Sequence, residues 1–373
     1  MLYPTELTMI FDGEDGWLHD GVRYRLVCAP GLTVCPNGDL LCTWLSGSGG
    51  EPAVDNCSLI SRSVDGGKTW SEPEIFVPVD PVLGCGSGFT FEKDGRLFAL
   101  YGYFPAAEEY TKWYWFQKES RDNGHTWSQG RPIVLWQKEG ESASFGGITR
   151  LADGSWRCAV QVFRPREYPL TASPMRLALA RDEQEAAGMP PRGDQEPDAE
   201  KFGRCLHSCG VVSPNEDFTA FTMLGGVSNR PLGLLEPNIL ELKDGRLVML
   251  MRAEWGGFLW RSDSTDGGKT WCPAYETDIP NPSALICLTR LPDGRIALVH
   301  NPTGGVRGQR GPRSLLSFWI SEDELQSFSV KLDLVAGGYL SYPSVSVADD
   351  GKILVAYDHD RKSVRLLSFY LPD

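Results

Sequence analysis

Two cysteines and a histidine stand close together in the run Cys205-Leu-His207-Ser-Cys209. Thiolate and imidazole groups are ligands that zinc prefers, so this spacing raises the question of a metal site. A structural zinc site needs four ligands, and no second cluster in the sequence completes the set. We therefore expect no metal, and we expect these residues to pack as ordinary strand residues.

The formal net charge of the 373-residue chain is −13. Nucleic acids and anionic membranes bind basic surfaces, so neither is expected as a partner. A small anionic ligand remains compatible with this charge, because a pocket needs only a few converging guanidinium groups. No apolar run is long enough for a transmembrane helix.

The cysteines fall largely within apparent strands, where a free thiol packs as a small apolar side chain. This placement favours reduced thiols and a cytosolic protein. The first residues lack a basic segment followed by an apolar stretch, so a secreted or periplasmic location would require that a signal had been removed.

A short pattern, Ser-x-Asp-x-Gly-x-Thr-Trp, occurs three times, at 63–70, 120–127 and 264–271. In such a turn the aspartate accepts hydrogen bonds from nearby backbone amides, glycine adopts positive φ, and tryptophan fills the gap between strands. Three copies with one spacing define a repeat. A second repeat consists of six Asn-Gly or Asp-Gly pairs between short apolar runs, each typical of a β-hairpin, at Asn37-Gly38, Asp94-Gly95, Asp153-Gly154, Asp244-Gly245, Asp293-Gly294 and Asp350-Gly351.

The eight-residue turn resembles the Asp-box of the sialidase superfamily, in its divergent BNR-repeat branch, whose members fold as six-bladed β-propellers. The six hairpins agree with that count, and their spacing suits four-stranded blades of roughly 45 to 60 residues. One longer interval contains a polar stretch rich in glycine and proline at about 181–202. We predict a single all-β domain spanning residues 1–373, with an insertion at that stretch.

The segment from Glu236 to Arg252 resembles the sialidase hairpin that carries a catalytic glutamate and a carboxylate-binding arginine. In a propeller, the start of an inner strand and the end of its hairpin partner can both face the mouth of the channel. The alternative is a surface salt bridge across the hairpin. The resemblance also implies a second substrate-binding arginine at Arg313, with Arg307 and Arg310 as nearby alternatives.

The segment Leu340-Ser-Tyr342-Pro resembles the family's nucleophile segment. A phenol with its usual pKa near 10 is a poor nucleophile by itself. The resemblance implies that Glu236 takes the proton of Tyr342, because a carboxylate nucleophile would be repelled by an anionic sugar. The alternative is a strand tyrosine that packs at a blade edge.

Two positions depart from the family pattern. The hairpin at Asn37-Gly38 places Cys28 where sialidases carry a further arginine, and Arg25 would fill that role only if a bulge displaced the motif. The family's loop aspartate, which acts as general acid, falls on Glu51. Asp55 in the same glycine-rich loop is the second candidate, and either carboxyl group could also be a solvated loop residue.

A fourth turn, at Ser321-Glu-Asp323, lacks the glycine and the Thr-Trp of the repeat, so we expect it to be less rigid. The leading hypothesis is a cofactor-free, exo-acting glycoside hydrolase that cleaves a terminal acidic sugar. A second class would be a propeller hydrolase or lyase for rhamnose-uronic acid linkages, with a channel histidine at His300 or His359 as base. The third is a propeller that binds glycans without catalysis. The sequence leaves the oligomeric state open.

Overall fold

A computed structural model of the protein describes residues 2–51, 53–86, 88–105, 112–135, 141–165, 205–228, 233–254, 256–306 and 309–371. These residues form 28 strands and no helix. The predicted insertion at about 181–202 lies outside the described residues.

In chain order the strands are β1 (Glu6–Asp12), β2 (Trp17–His19), β3 (Val22–Tyr24), β4 (Cys28–Val34), β5 (Leu40–Ser46), β6 (Cys57–Ser63), β7 (Glu74–Val77), β8 (Leu83–Cys85), β9 (Phe89–Lys93), β10 (Arg96–Pro105), β11 (Tyr114–Ser120), β12 (Arg131–Pro132), β13 (Val134–Leu135), β14 (Ser142–Arg150), β15 (Trp156–Pro165), β16 (Cys205–Pro214), β17 (Ala220–Val227), β18 (Leu234–Glu241), β19 (Leu247–Ala253), β20 (Gly257–Ser264), β21 (Tyr275–Asn281), β22 (Cys287–Arg290), β23 (Ile296–His300), β24 (Leu315–Ser321), β25 (Val330–Ala336), β26 (Leu340–Val347), β27 (Ile353–His359) and β28 (Ser363–Phe369).

Six sheets of four or five strands form the blades of a β-propeller, which confirms the predicted fold. Blades 1 to 5 are built from β4–β7, β8–β12, β13–β17, β18–β21 and β22–β25. Blade 6 contains β26, β27 and β28, and the N-terminal strand β1 completes it by pairing antiparallel with β28. The two ends of the chain therefore share one sheet, while β2 and β3 form a separate hairpin.

The strand that follows the inner hairpin is buried along its whole length in three of the blades. Every residue of β5, β19 and β23 is buried. These strands lie inside their own sheets and between neighbouring blades, so both of their faces are covered. The packed blades form the core and hold the inner strands in place around the channel.

All six predicted hairpins are present, and the glycine of each has positive φ; they join β4 to β5, β9 to β10, β14 to β15, β18 to β19, β22 to β23 and β26 to β27. The conformation is open to glycine because it has no Cβ. This local requirement explains why six dipeptides in the sequence located six hairpins correctly.

The three Asp-box turns follow β6, β11 and β20 in blades 1, 2 and 4 and have the predicted hydrogen bonds. In the first, Asp65 accepts hydrogen bonds from the backbone N–H (2.9 Å) and the hydroxyl (2.6 Å) of Thr69. The Trp70 indole donates to the carbonyl of Gly67 over 3.3 Å. These hydrogen bonds lower the pKa of Asp65 to about 2.

The expectation that the fourth turn, in blade 5, is less rigid is wrong as far as its hydrogen bonds are concerned. Ser327 takes the place of the threonine and donates to Asp323 through its backbone N–H (2.8 Å) and its hydroxyl (2.6 Å). Glu324 and Leu325 adopt positive φ of 58° and 64°, as glycine does in the other turns. The turn therefore keeps its hydrogen bonds at the cost of backbone strain.

The cysteines whose side chains are described are free thiols. A membrane-crossing helix is absent from the part of the chain that the structure describes.

Candidate active site

The inner strands of blades 4 and 6 each contain a bulge near their start. The pairing of β18 with β19 skips after Leu235, and the pairing of β26 with β27 skips after Ser341. The bulge residues, Glu236 and Tyr342, have positive φ of 47° and 52°, and each is followed by proline. A bulge redirects a side chain out of the normal alternation of a strand, and such strained residues concentrate at functional sites.

The two bulges bring Tyr342 and Glu236 together, although 106 residues separate them in the chain. The Tyr342 hydroxyl donates to Glu236 Oε1 over 3.3 Å. Arg252, on β19 opposite the bulge, places its Nη1 atom 2.8 Å from Glu236 Oε2. A phenol, a carboxylate and a guanidinium from two blades therefore share one site.

The Tyr342 phenol is held in its neutral form. Burial raises the pKa of Tyr342 above its usual value, and the Glu236 carboxylate raises it further, while Arg252 and Arg313 act in the opposite direction. A neutral phenol needs a base to become a nucleophile. Glu236 is within hydrogen-bond distance to act as that base.

Arg313 also lies beside the Tyr342 ring. Its guanidinium carbon is 5.6 Å from the ring centre, and its Nη2 donates to the backbone carbonyl of Ser283 over 2.6 Å. The buried Nη1 of Arg313 and the buried Nε of Arg252 have no hydrogen-bond partner among the described residues. Buried donors of this kind need an acceptor, and a ligand anion would supply one.

The two alternatives to Arg313 are not equivalent to it. Arg310 is exposed, and it donates its Nε hydrogen to the backbone carbonyl of Glu254 over 3.1 Å. Arg307 lies outside the described residues. Arg313 is the predicted arginine that the structure shows beside the Tyr342 ring.

Blade 1 carries the same bulge without a functional side chain. Ala29 has a φ of 50° and is followed by proline, so Cys28 precedes the bulge as Leu235 precedes Glu236. Burial, and then the neighbouring Glu51 carboxylate, raise the pKa of the Cys28 thiol well above its usual value. A neutral thiol stands where the family resemblance implies an arginine.

Arg25 is not brought to this site by a bulge, because the bulge follows it in the chain. Its side chain is exposed, and its backbone N–H donates to the carbonyl of Gly47 over 2.8 Å. The structure shows no contact of Arg25 with Tyr342 or Glu236.

The two candidate acids occupy different parts of their loop. Glu51 Oε1 accepts hydrogen bonds from Arg361 Nη1 over 2.7 Å and from the Cys28 thiol over 3.5 Å. The Arg361 guanidinium carbon is in turn 5.7 Å from the centre of the Tyr342 ring. Asp55 instead accepts hydrogen bonds from the backbone N–H and the hydroxyl of Ser48, within the loop itself.

Sequence reasoning missed two further residues of this site, Arg361 and Asp358. Asp358 on β27 is fully buried and accepts hydrogen bonds of 2.8 and 2.9 Å from the hydroxyl of Ser341, the residue before the nucleophile candidate. Burial raises the pKa of Asp358 to about 7, against the opposing effect of Arg361. The contact of Asp358 with Ser341 depends on the register of β26 against β27, which cannot be read from the sequence.

The residues considered for a metal site pack elsewhere. His207 Nδ1 lies 3.1 Å from the side-chain nitrogen of Gln161, whose oxygen accepts a hydrogen bond from the backbone N–H of Glu236. Cys209 is buried in the core, and the side chain of Cys205 lies outside the described residues. Within the described ranges, no group of His, Cys, Asp and Glu is arranged to hold a metal ion.

The channel-histidine hypothesis finds little support in the positions of its two candidates. His300 is fully buried with its ring edge-on to Trp319 (4.4 Å between centres), and burial lowers its pKa to about 3. His359 lies at the end of β27, with its Nδ1 3.2 Å from Asp360. The structure records no hydrogen bond or ring contact of either histidine with Tyr342 or Glu236.

Comparison with known proteins identifies the family of the chain. The chain belongs to the BNR repeat-like domain family, whose model matches residues 38–355. It is a divergent member of the sialidase superfamily of six-bladed propellers.

The relatives are distant. A curated protein named Sialidase, from Micromonospora viridifaciens, is 24% identical over 389 residues, which cover 95% of this chain and 52% of the relative. A Hadza microbial sialidase has 16% identity and a TM-score of 0.70, with 95% of this chain and 66% of that chain covered. Trypanosoma rangeli sialidase, solved in complex with sialic acid, has 14% identity and a TM-score of 0.68, with 98% and 59% covered. The chain thus spans about half the length of the curated relative, and at these identities the structural likeness shows the fold alone.

Proposed function

We propose that this protein is an exo-acting glycoside hydrolase of sialidase type, which removes a terminal acidic sugar, sialic acid or a related acid, from glycans. The observation that carries the proposal is the hydrogen bond between Tyr342 and Glu236. A protein that only binds glycans has no need for a base beside a buried phenol. The sialic acid bound to the Trypanosoma rangeli sialidase is consistent with an acidic sugar as substrate.

The arginines are proposed to hold the acid group of the sugar. Arg252 is paired with Glu236, and Arg313 lies beside the Tyr342 ring. Each has a buried nitrogen without a hydrogen-bond partner among the described residues. Guanidinium groups bind carboxylates through paired, charge-assisted hydrogen bonds. This contact would place the anomeric carbon next to the acid group within reach of the Tyr342 hydroxyl.

The reaction would proceed in two displacements. First, Tyr342 Oη attacks the anomeric carbon and Glu236 takes the phenol proton, while the glycosidic bond breaks and its oxygen leaves with a proton from the general acid. The sugar then remains bound to Tyr342. Next, a water molecule gives its proton to the same acid residue and attacks the anomeric carbon, and Tyr342 leaves with the proton that Glu236 returns.

Glu51 is proposed as the general acid in preference to Asp55. Glu51 is joined to Arg361, which lies beside the Tyr342 ring, whereas the Asp55 carboxylate is occupied by Ser48. A carboxyl group on a loop over the mouth can reach a leaving oxygen when the loop moves. The scheme uses side chains alone and needs no cofactor.

The test is the release of 4-methylumbelliferone from its α-N-acetylneuraminide, measured from about pH 4 to about pH 8, the range in which carboxyl and imidazole groups titrate. Tyr342→Phe should lower kcat/KM by about a thousandfold or more. Tyr339→Phe is the matched control, because Tyr339 also lies beside Arg313 (5.2 Å) but is not hydrogen-bonded to Glu236. Equal activity of the two variants would defeat the assignment of the nucleophile, and an inactive wild type would exclude N-acetylneuraminate as the sugar.

A further inference from the structure

The pocket lacks a cation at the position that Cys28 occupies. Arg252 and Arg313 approach Tyr342 from blades 4 and 5, while the corresponding position of blade 1 holds a neutral, buried thiol. Arg25, the nearest arginine before it in the chain, is exposed. A third cation must therefore come from another part of the chain, if the site has one.

Arg361 is held next to this position by its backbone. It lies in the turn between β27 and β28, where Asp360 and Arg361 adopt positive φ of 56° and 55°. Its carbonyl accepts a hydrogen bond of 2.9 Å from the backbone N–H of Val27, directly before Cys28. The strained turn of blade 6 is thus joined to the first strand of blade 1, and the Arg361 side chain extends over the Tyr342 ring at 5.7 Å.

The side chain of Arg361 already binds a carboxylate of the protein, that of Glu51. Its Nη1 lies 2.7 Å from Glu51 Oε1, and the two side chains are 30% and 17% exposed. The same oxygen of Glu51 accepts the hydrogen bond from the Cys28 thiol. This ion pair is accessible at the pocket, so the carboxylate of a ligand could replace Glu51 on the guanidinium without leaving a buried charge unpaired.

We propose that Arg361 is the third carboxylate-binding residue of the pocket, and that Glu51 holds it until the acid group of the sugar takes its place. The inference rests on the proposed function and adds to it. The exchange couples substrate binding to the release of Glu51, whose freed carboxylate then takes a proton from solvent and can deliver it to the leaving oxygen. A substrate without the acid group would leave Glu51 bound to Arg361.

The experiment compares ligands that differ only in the acid charge. The probes are N-acetylneuraminate, glucuronate and galacturonate, each with its methyl ester, titrated by calorimetry into the wild type and the variants Arg361→Gln, Glu51→Gln and Arg25→Gln. The matched control is Arg131→Gln, which breaks an arginine–carboxylate pair with Asp217 (3.0 Å) at the outer strand β12. Thermal unfolding of each variant verifies that it is folded.

The proposal predicts opposite effects of the two pocket variants. Arg361→Gln should weaken binding of the preferred acid by about tenfold or more, or about 1.4 kcal/mol, and leave the ester nearly unchanged. Glu51→Gln should strengthen binding of the acid, because a competing carboxylate is removed. Arg131→Gln should behave as the wild type.

Three results would overturn the proposal. The wild type could bind none of the acids, or Arg361→Gln could bind the acid with an affinity within about twofold of the wild type. The third is that Glu51→Gln loses as much affinity for the acid as Arg361→Gln does. The last would show that Arg361 only anchors the loop. Loss of acid affinity in Arg25→Gln instead would assign the role to Arg25.

Turnover assays on the same preparations separate this inference from the proposed function. Arg361-dependent binding without turnover defeats only the hydrolase, and turnover without such binding defeats only the role of Arg361.

Discussion

Replacement of Asp358 by asparagine is expected to stabilise the protein at neutral and alkaline pH. Asp358 is fully buried, and burial raises its pKa from the usual 3.8 to about 7 although Arg361 opposes the shift. Its hydrogen bonds come from the Ser341 hydroxyl, and the side-chain oxygen of asparagine can accept one of them. The variant thus keeps the shape of the site and loses only the charge.

The sign and the size follow from proton binding. Between about pH 4 and pH 7 the folded protein binds a proton at Asp358 that the unfolded chain does not bind, so the stability that this proton gives at low pH is lost as the pH rises. Each pH unit in this window lowers the free energy of unfolding of the wild type by about 1.4 kcal/mol. Because the pKa of Asp358 is raised by about three units, the free energy of unfolding of the variant should exceed that of the wild type by up to about 4 kcal/mol at about pH 8. The difference should be close to zero at about pH 4.

The assay is equilibrium urea unfolding of the wild type and of Asp358→Asn at pH values between about 4 and 8, the window set by the two pKa values. Asp349→Asn, an exposed aspartate of the same blade, is the control for removal of one negative charge. The reasoning would be refuted if the difference between wild type and Asp358→Asn did not change with pH, or if the variant were less stable at the alkaline end.

Three further predictions concern the site and the turns. Glu236→Gln should lower kcat by a factor of about 10²–10⁴ with little change in the KM of the acidic substrate, because it removes the base and keeps the shape of the side chain. Steady-state kinetics measures both constants, and an unchanged kcat would contradict the prediction. Arg252→Lys should weaken binding of an acidic sugar but not of its methyl ester, because lysine lacks the paired donors of guanidinium; calorimetry with both ligands decides this. Asp266→Asn should lower the free energy of unfolding at neutral pH and make its decline below about pH 4 less steep, as urea unfolding at several pH values would show. The reason is that hydrogen bonds from Thr270 lower the pKa of Asp266 to about 2, and the stability linked to the ionised form is lost as the pH falls.

Local signals made the fold predictable from the sequence. The hairpin glycines and the Asp-box turns are defined by residues a few positions apart, whose backbone conformation or hydrogen bonds restrict the residue type. The turn at Asp323 shows the limit of pattern matching. Its hydrogen bonds survive with Ser327 in place of threonine, because either hydroxyl can donate to the aspartate.

Long-range contacts were not predictable in the same way. The pairing of β1 with β28 joins the first and the last strand, and the local sequence of neither strand predicts which strand it pairs with. Likewise, Arg361 reaches Tyr342 only because its turn is bound to Val27 of the neighbouring blade. Glu236, Arg252 and Tyr342 were predicted because they fall on segments that resemble those of known sialidases, and the structure brings them together.

The central claim is that Tyr342 forms a covalent bond to the sugar, and mass spectrometry tests it most directly. The protein would be incubated with 2,3-difluoro-N-acetylneuraminic acid, whose fluorine beside the anomeric carbon slows release of the bound sugar, and the labelled peptide would be sequenced. The account predicts one adduct per chain, on Tyr342, and none on Tyr342→Phe. An unlabelled wild type, or an adduct on another residue, would contradict it.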